Sequence, residues 1–127
     1  MKGIISILLA SFFFSAPGIK DNINSAIKLG NSQAIAQHFN NSIDLSVLDQ
    51  ENICSKAQAE IIVRNFFTKN KPTTFKIEHE GNAQDGSTYM IVKIGTANGS
   101  FRIYYLLKQS GNQMLIYKFR IDTDSDE

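Results

Sequence analysis

A single cysteine, Cys54, excludes an intramolecular disulfide, so no covalent cross-link holds any part of this 127-residue chain. Tryptophan is absent. Proline occurs only at Pro17 and Pro72, which leaves the interval between them free of the residue that most strongly breaks helices and strands. Charge of one sign is also missing: thirteen Lys and Arg stand against twelve Asp and Glu, and a formal charge of +1 offers no electrostatic footing for nucleic acid or an anionic membrane. The longest apolar run, Ile4 to Phe14, falls well short of the roughly 20 residues needed to cross a bilayer. No stable membrane anchor is expected.

What is present suits one folded domain: 43% of residues are hydrophobic and 20% charged. The amino terminus stands apart. Lys2, the run Ile4 to Phe14 and the small residues Ser15 and Ala16 have the layout of a secretory signal. Cleavage after Ala16 would put Pro17 directly after the scissile bond, so cleavage is expected after Gly18. No cysteine follows the run to carry a lipid. The sequence therefore predicts export to a soluble space, periplasmic or secreted, with a signal over 1–18, one domain over 19–121 and an acidic, solvated tail over 122–127. Cys54 is expected to pack as a small apolar side chain.

Along the domain, Ile23, Ala26 and Ile27 recur at helical spacing between Lys20 and Leu29, with Gly30 as the stop. Asn31 or Ser32 can cap a second helix whose apolar stripe is Ile35, Ala36 and Phe39, closing at Asn40 and Asn41. Ile43, Leu45 and Val47 alternate with polar residues as in a half-buried strand, and Asp49 to Asn52 read as a polar break. Ser55 and Gln58 form a capping box for a third helix reaching Asn70. Its stripe is Ala59, Ile62, Val63, Phe66 and Phe67, which predicts that it lies on a sheet. Pro72 ends it.

Four alternating runs follow: Thr73 to Glu80, Thr88 to Ala97, Phe101 to Gln109 and Gln113 to Ile121. Asn98-Gly99 predicts a two-residue hairpin turn. Period-two alternation places Phe101, Ile103, Tyr105 and Leu107 on one face with Leu115, Tyr117, Phe119 and Ile121. Tyr104, Leu106, Met114 and Ile116 then fall on the other, among Arg102, Lys108, Lys118 and Arg120. A mixed apolar and basic outer face is a pairing surface, and a homodimer through it is expected.

Residues able to do chemistry are sparse. His38 and His79 are far apart in sequence, with no metal-ligand spacing, no nucleophile elbow and no glycine-rich phosphate loop nearby, so no metal or cofactor is expected. His79 is placed on the face of Phe75 and Ile77, near the end of its strand, where it could reach the rim of a cavity. His79, Tyr89 and Arg102 are the candidate ligand-binding residues.

The order helix, helix, strand, helix, four-strand antiparallel meander resembles the nuclear transport factor 2-like superfamily, a cone-shaped α+β fold of the cystatin-like class. Closer still, Ala26-Ile27-Lys28-Leu29-Gly30-Asn31, Ser55-Lys56-Ala57-Gln58-Ala59-Glu60, Phe66-Phe67 and Gly99-Ser100-Phe101-Arg102-Ile103-Tyr104 resemble a family of small exported bacterial proteins of unknown function within it. The resemblance covers most of residues 20 to 121 and rests on caps, turns and core positions. It implies a cone between sheet and helices. Ketosteroid isomerases of the superfamily use a first-helix tyrosine and two buried acids, whereas here that helix has no tyrosine and the matching base position falls near Val47.

Two expectations follow. The first is a non-enzymatic exported domain that binds a small ligand or a protein partner through its cone or outer sheet face. The alternative is a single acid-base isomerase, cyclase or hydrolase working in the cone. A cone filled by Phe66, Phe67, Phe101 and Phe119 would favour the first.

Overall fold

A computed structural model describes residues 18–125, so the expected signal lies outside it apart from Gly18. The elements run α1 (Ile19–Leu29), α2 (Ser32–Ala36), β1 (Phe39–Val47), β2 (Gln50–Ser55), α3 (Lys56–Lys69), β3 (Thr74–Asn82), β4 (Thr88–Thr96), β5 (Gly99–Ser110) and β6 (Gln113–Thr123). The six strands form one sheet in the order β2-β1-β6-β5-β4-β3. All pairs are antiparallel except β1 with β6, which run parallel. The class is the expected α+β, with one strand more than the alternation predicted.

Each helix is begun and ended by local chemistry. α1 buries Ile23, Ala26 and Ile27 and stops at Gly30, whose φ of 65° brings its N–H to the Ile27 carbonyl at 2.9 Å. A side chain at Gly30 would also meet Pro72 Cδ at 3.0 Å. Asn31, not Ser32, caps α2 by accepting from the Ala34 N–H at 3.1 Å. Both halves of the Ser55/Gln58 capping box are made. At the far end of α3, Asn98 donates to the Lys69 carbonyl at 2.8 Å. The predicted Asn98-Gly99 turn lies one residue earlier: Ala97 and Asn98 form it, and Gly99, at φ 110°, begins β5.

Several expectations are corrected by sheet pairing. Phe39 was read as the last stripe residue of α2, but α2 ends at Ala36 and Phe39 opens β1, paired with Ile116. Its ring packs edge-on against Phe119 with centroids 5.5 Å apart. Asp49 to Asn52 are not a break, because β2 starts at Gln50 and pairs with β1 without interruption. The reversal is made by Leu48 and Asp49, with Leu48 at φ 56°.

Two bulges turn residues over. Between β5 and β6, Leu106 pairs with Lys118 and Leu107 with Ile116, so Tyr117 is the extra residue. Leu115 and Tyr117 therefore leave the inner face where alternation put them, and the fully buried Ile116 takes their place, with Met114 packed partly against the core. Between β3 and β4, Glu78 is extra, and His79 moves off the face of Phe75.

The core lies between the helices and the inner face of the sheet. Phe66, Phe67, Phe101, Phe119, Tyr105 and Phe39 are all at most 6% exposed. Phe66 makes edge-to-face contacts with Phe67 at 5.2 Å and Phe101 at 4.9 Å. Each buried side chain of this size contributes roughly 1.5–3 kcal/mol. Phe66, Phe67, Phe101 and Phe119 thus all belong to the buried core.

Candidate functional site

The bulge at Glu78 decides where the candidate residues stand. With His79 opposite Ile91, and Ile91 opposite Tyr104, His79 faces outward together with Tyr89 and Arg102. The expectation of a histidine at the cone rim is corrected: the cluster occupies the side of the sheet away from the helices.

His79 Nε2 and the Tyr89 hydroxyl are 2.7 Å apart, and their rings lie 5.4 Å from each other. Tyr89 is held from three directions. Its ring lies across Gly81, where a Cβ would meet ring atoms, and it stacks on Tyr104 at 6.2 Å with planes 25° apart. Partial burial pushes the Tyr104 hydroxyl upward, with Tyr89 adding to the shift and Arg120 opposing it. Tyr104 is thus a neutral donor or acceptor at physiological pH.

Arg102 makes ion pairs on the same face. Its Nε donates to Glu78 Oε1 at 3.1 Å, and its Nη2 lies 3.5 Å from Asp124 Oδ1. Lys93 Nζ reaches the other oxygen of Asp124 at 2.8 Å. The Asp124 side chain is only 2% exposed, so the expected solvated tail begins with a buried carboxylate bridging two cations, and β6 itself extends to Thr123. Sequence reasoning missed Asp124 because an acidic run after the last strand reads as solvent-facing. The nearest clue was its closeness to β6, three residues past the predicted strand end.

Further across the face, Lys118 pairs with Asp44 and Arg120 with Asp122, both at 3.8 Å, and Lys108 sits 5.6 Å above the Tyr117 ring. The surface is therefore an aromatic and aliphatic strip of Tyr89, Ile91, Tyr104, Leu106, Leu115 and Tyr117 bordered by basic groups. Four of those groups have acidic partners, so the face is far closer to neutral than its cations suggest.

Inside the cone lies a polar contact. The Tyr105 hydroxyl donates to Asn24 Oδ1 at 2.7 Å, with both residues buried. Burial raises the Tyr105 hydroxyl above the ordinary tyrosine range, with Glu80 and Asp21 adding to it. Such a group stays protonated and cannot serve as a base near neutral pH. Burial also lifts the Cys54 thiol, and Cys54 packs against the core as an apolar filler. Burial and Lys56 together lower His38. Among the described residues, no group of three or more His, Cys, Asp or Glu is placed to hold a metal ion.

The architecture is the cystatin-like, nuclear transport factor 2-like α+β cone. A cystatin-like domain of unknown function from Nostoc punctiforme superposes with a TM-score of 0.64 at 13% identity, covering 81% of this chain and 71% of that one. Residues 20–122 match the family described as domain of unknown function (DUF4783), and the chain belongs to it. A member from Bacteroides ovatus is 31% identical with a TM-score of 0.78, covering 87% of this chain and 97% of its own. One from Bacteroides uniformis is 28% identical at a TM-score of 0.79, over 86% and 100%. No curated protein matches.

Proposed function

We propose that this protein is a non-enzymatic, exported binding domain whose outer sheet face takes a partner, a second copy of the chain, with Tyr89, Tyr104 and Leu106 in the contact. The observation that carries the reading is the contrast between the two sides of the sheet. The inner side is filled by Phe66, Phe67, Phe101 and Phe119, whereas the outer side presents partly buried aromatic and aliphatic residues among already paired charges. Paired charges matter because two copies meeting through an unpaired basic face would repel. His79 and Arg102 would border the contact. The acid-base alternative has less support, since His79 and Tyr89 face away from the cone and Tyr105 is held neutral within it.

Light scattering on the full chain tests this. A dimer is expected, and Leu106→Asp should convert it to monomer without changing the circular dichroism spectrum. A clean monomer of the unmodified chain at high concentration would remove the proposal. Native mass spectrometry on the same sample reads out any small molecule retained beside the second subunit.

A further inference from the structure

The two edges of the sheet are built differently. β3, at one end, carries the Glu78 bulge and a row of charges, with Glu78 tied to Arg102 and Glu80 to Lys20. Bulges and charges of this kind keep another strand from adding to an edge. β2, at the other end, has no bulge and a single charged residue, Glu51. Its pairing with β1 runs unbroken from Ser42↔Ser55 to Val47↔Gln50, and among the described residues no strand lies on its far side. A strand in that position turns alternate N–H and C=O groups outward with no partner from the sheet.

Beside this edge runs an apolar groove against α3. One stretch, about 450 Å³, has Val47, Leu48, Ile62 and Phe66 among its lining residues, and a second, about 360 Å³, includes Ile53, Cys54 and Ile61 and shares Ile62 with the first. Three of the five exposed large hydrophobic residues lie here: Ile53 at 80%, Ile61 at 47% and Leu48 at 42%. Leu48 also sits in the left-handed region at φ 56°, where a leucine is rarely found. Backbone strain that keeps an apolar side chain at a groove mouth marks a place that does more than reverse the chain.

We infer that the β2 edge and the α3 groove together form a binding site for an extended segment of a partner protein, which adds as a seventh strand and seats alternate apolar side chains against Ile53, Ile61 and Ile62. Main-chain bonds to an open edge supply affinity, and pockets at every second residue supply selectivity. The charges at the start of the edge are Asp49, which shares the first groove stretch with Lys69, and Glu51, and no Lys or Arg lies between Gln50 and Ser55. The segment that fits therefore lacks an acid beside Glu51 and carries a basic residue there. This site is on the opposite side of the sheet order from His79 and Tyr89 and does not depend on the proposed outer-face contact.

The test pans a display library of random octapeptides against the full-length protein, followed by amide spectra of the protein with an enriched synthetic peptide. Enriched sequences are expected to alternate apolar residues and to carry Lys or Arg at one end. Bound peptide should shift and protect amides within Gln50–Ser55, and Ile53→Lys or Ile61→Lys should weaken binding at least about tenfold while leaving the unfolding midpoint unchanged. Both positions are exposed, so both variants should fold. Tyr104→Ala should leave peptide binding intact. Failure to enrich any alternating sequence overturns the inference, as does binding that shifts β4 and β5 amides instead. A dimer that Ile53→Lys dissolves also overturns it, since the occupant would then be a second copy of this chain.

Discussion

The buried pair Tyr105 and Asn24 is the residue-scale feature with the sharpest consequence. Phe in place of Tyr105 keeps the ring but strands the Asn24 amide oxygen, which should cost about 1–3 kcal/mol in urea unfolding. The pair also fixes an alkaline limit. The fold raises the Tyr105 hydroxyl, whereas the unfolded chain ionises it near pH about 10. Its contribution is therefore complete below about pH 10 and lost as the pH climbs from there toward the folded-state value. Unfolding midpoints should be flat from neutrality to about pH 9 and then fall, and Tyr105→Phe should make that fall shallower without abolishing it, since Tyr104 shifts the same way. Asp124 is the second such residue. Asp124→Ala removes a buried bridge between Lys93 and Arg102, with an expected loss of about 1.5–3 kcal/mol measured by thermal unfolding. Part of that loss should be masked in 1 M salt, because both cations are partly exposed.

At the scale of elements, legibility followed the range of the forces involved. The third helix could be read from Ser55 and Gln58 because a capping box is made within one turn. Ser55→Ala should lower stability by about 0.5–2 kcal/mol by denaturant titration, and Ser55→Asp should largely restore it. β2 could not be read: Gln50, Glu51 and Asn52 have low strand propensity, and what makes them a strand is hydrogen bonding to β1. The same holds for Phe39, whose helical spacing lost to pairing with Ile116. Bulges are the hardest features for periodicity, since one extra residue reverses the assignments on one side of it, those after Glu78 in β3 and those before Lys118 in β6. That single-residue shift moved His79 from the cone to the outer face and exchanged Tyr117 for Ile116. Thus His79, Tyr89 and Arg102 stand out in the sequence as residues, while the face they share needed the register.

For the whole molecule, the sheet order matters more than the strand count. The β1–β2 hairpin comes from the first half of the domain and the β3–β5 meander from the second, and β6 lies between them, pairing parallel with β1 and antiparallel with β5. The last strand in sequence is thus the central joint of the sheet. It also supplies Ile116, Phe119 and Ile121, each fully buried, to the core. A chain emerging from its amino-terminal end cannot close its hydrophobic interior until residues up to Thr123 have arrived. Until then no strand joins its two sheet fragments. Closure of the sheet thus waits on β6, the last of its six strands to be made.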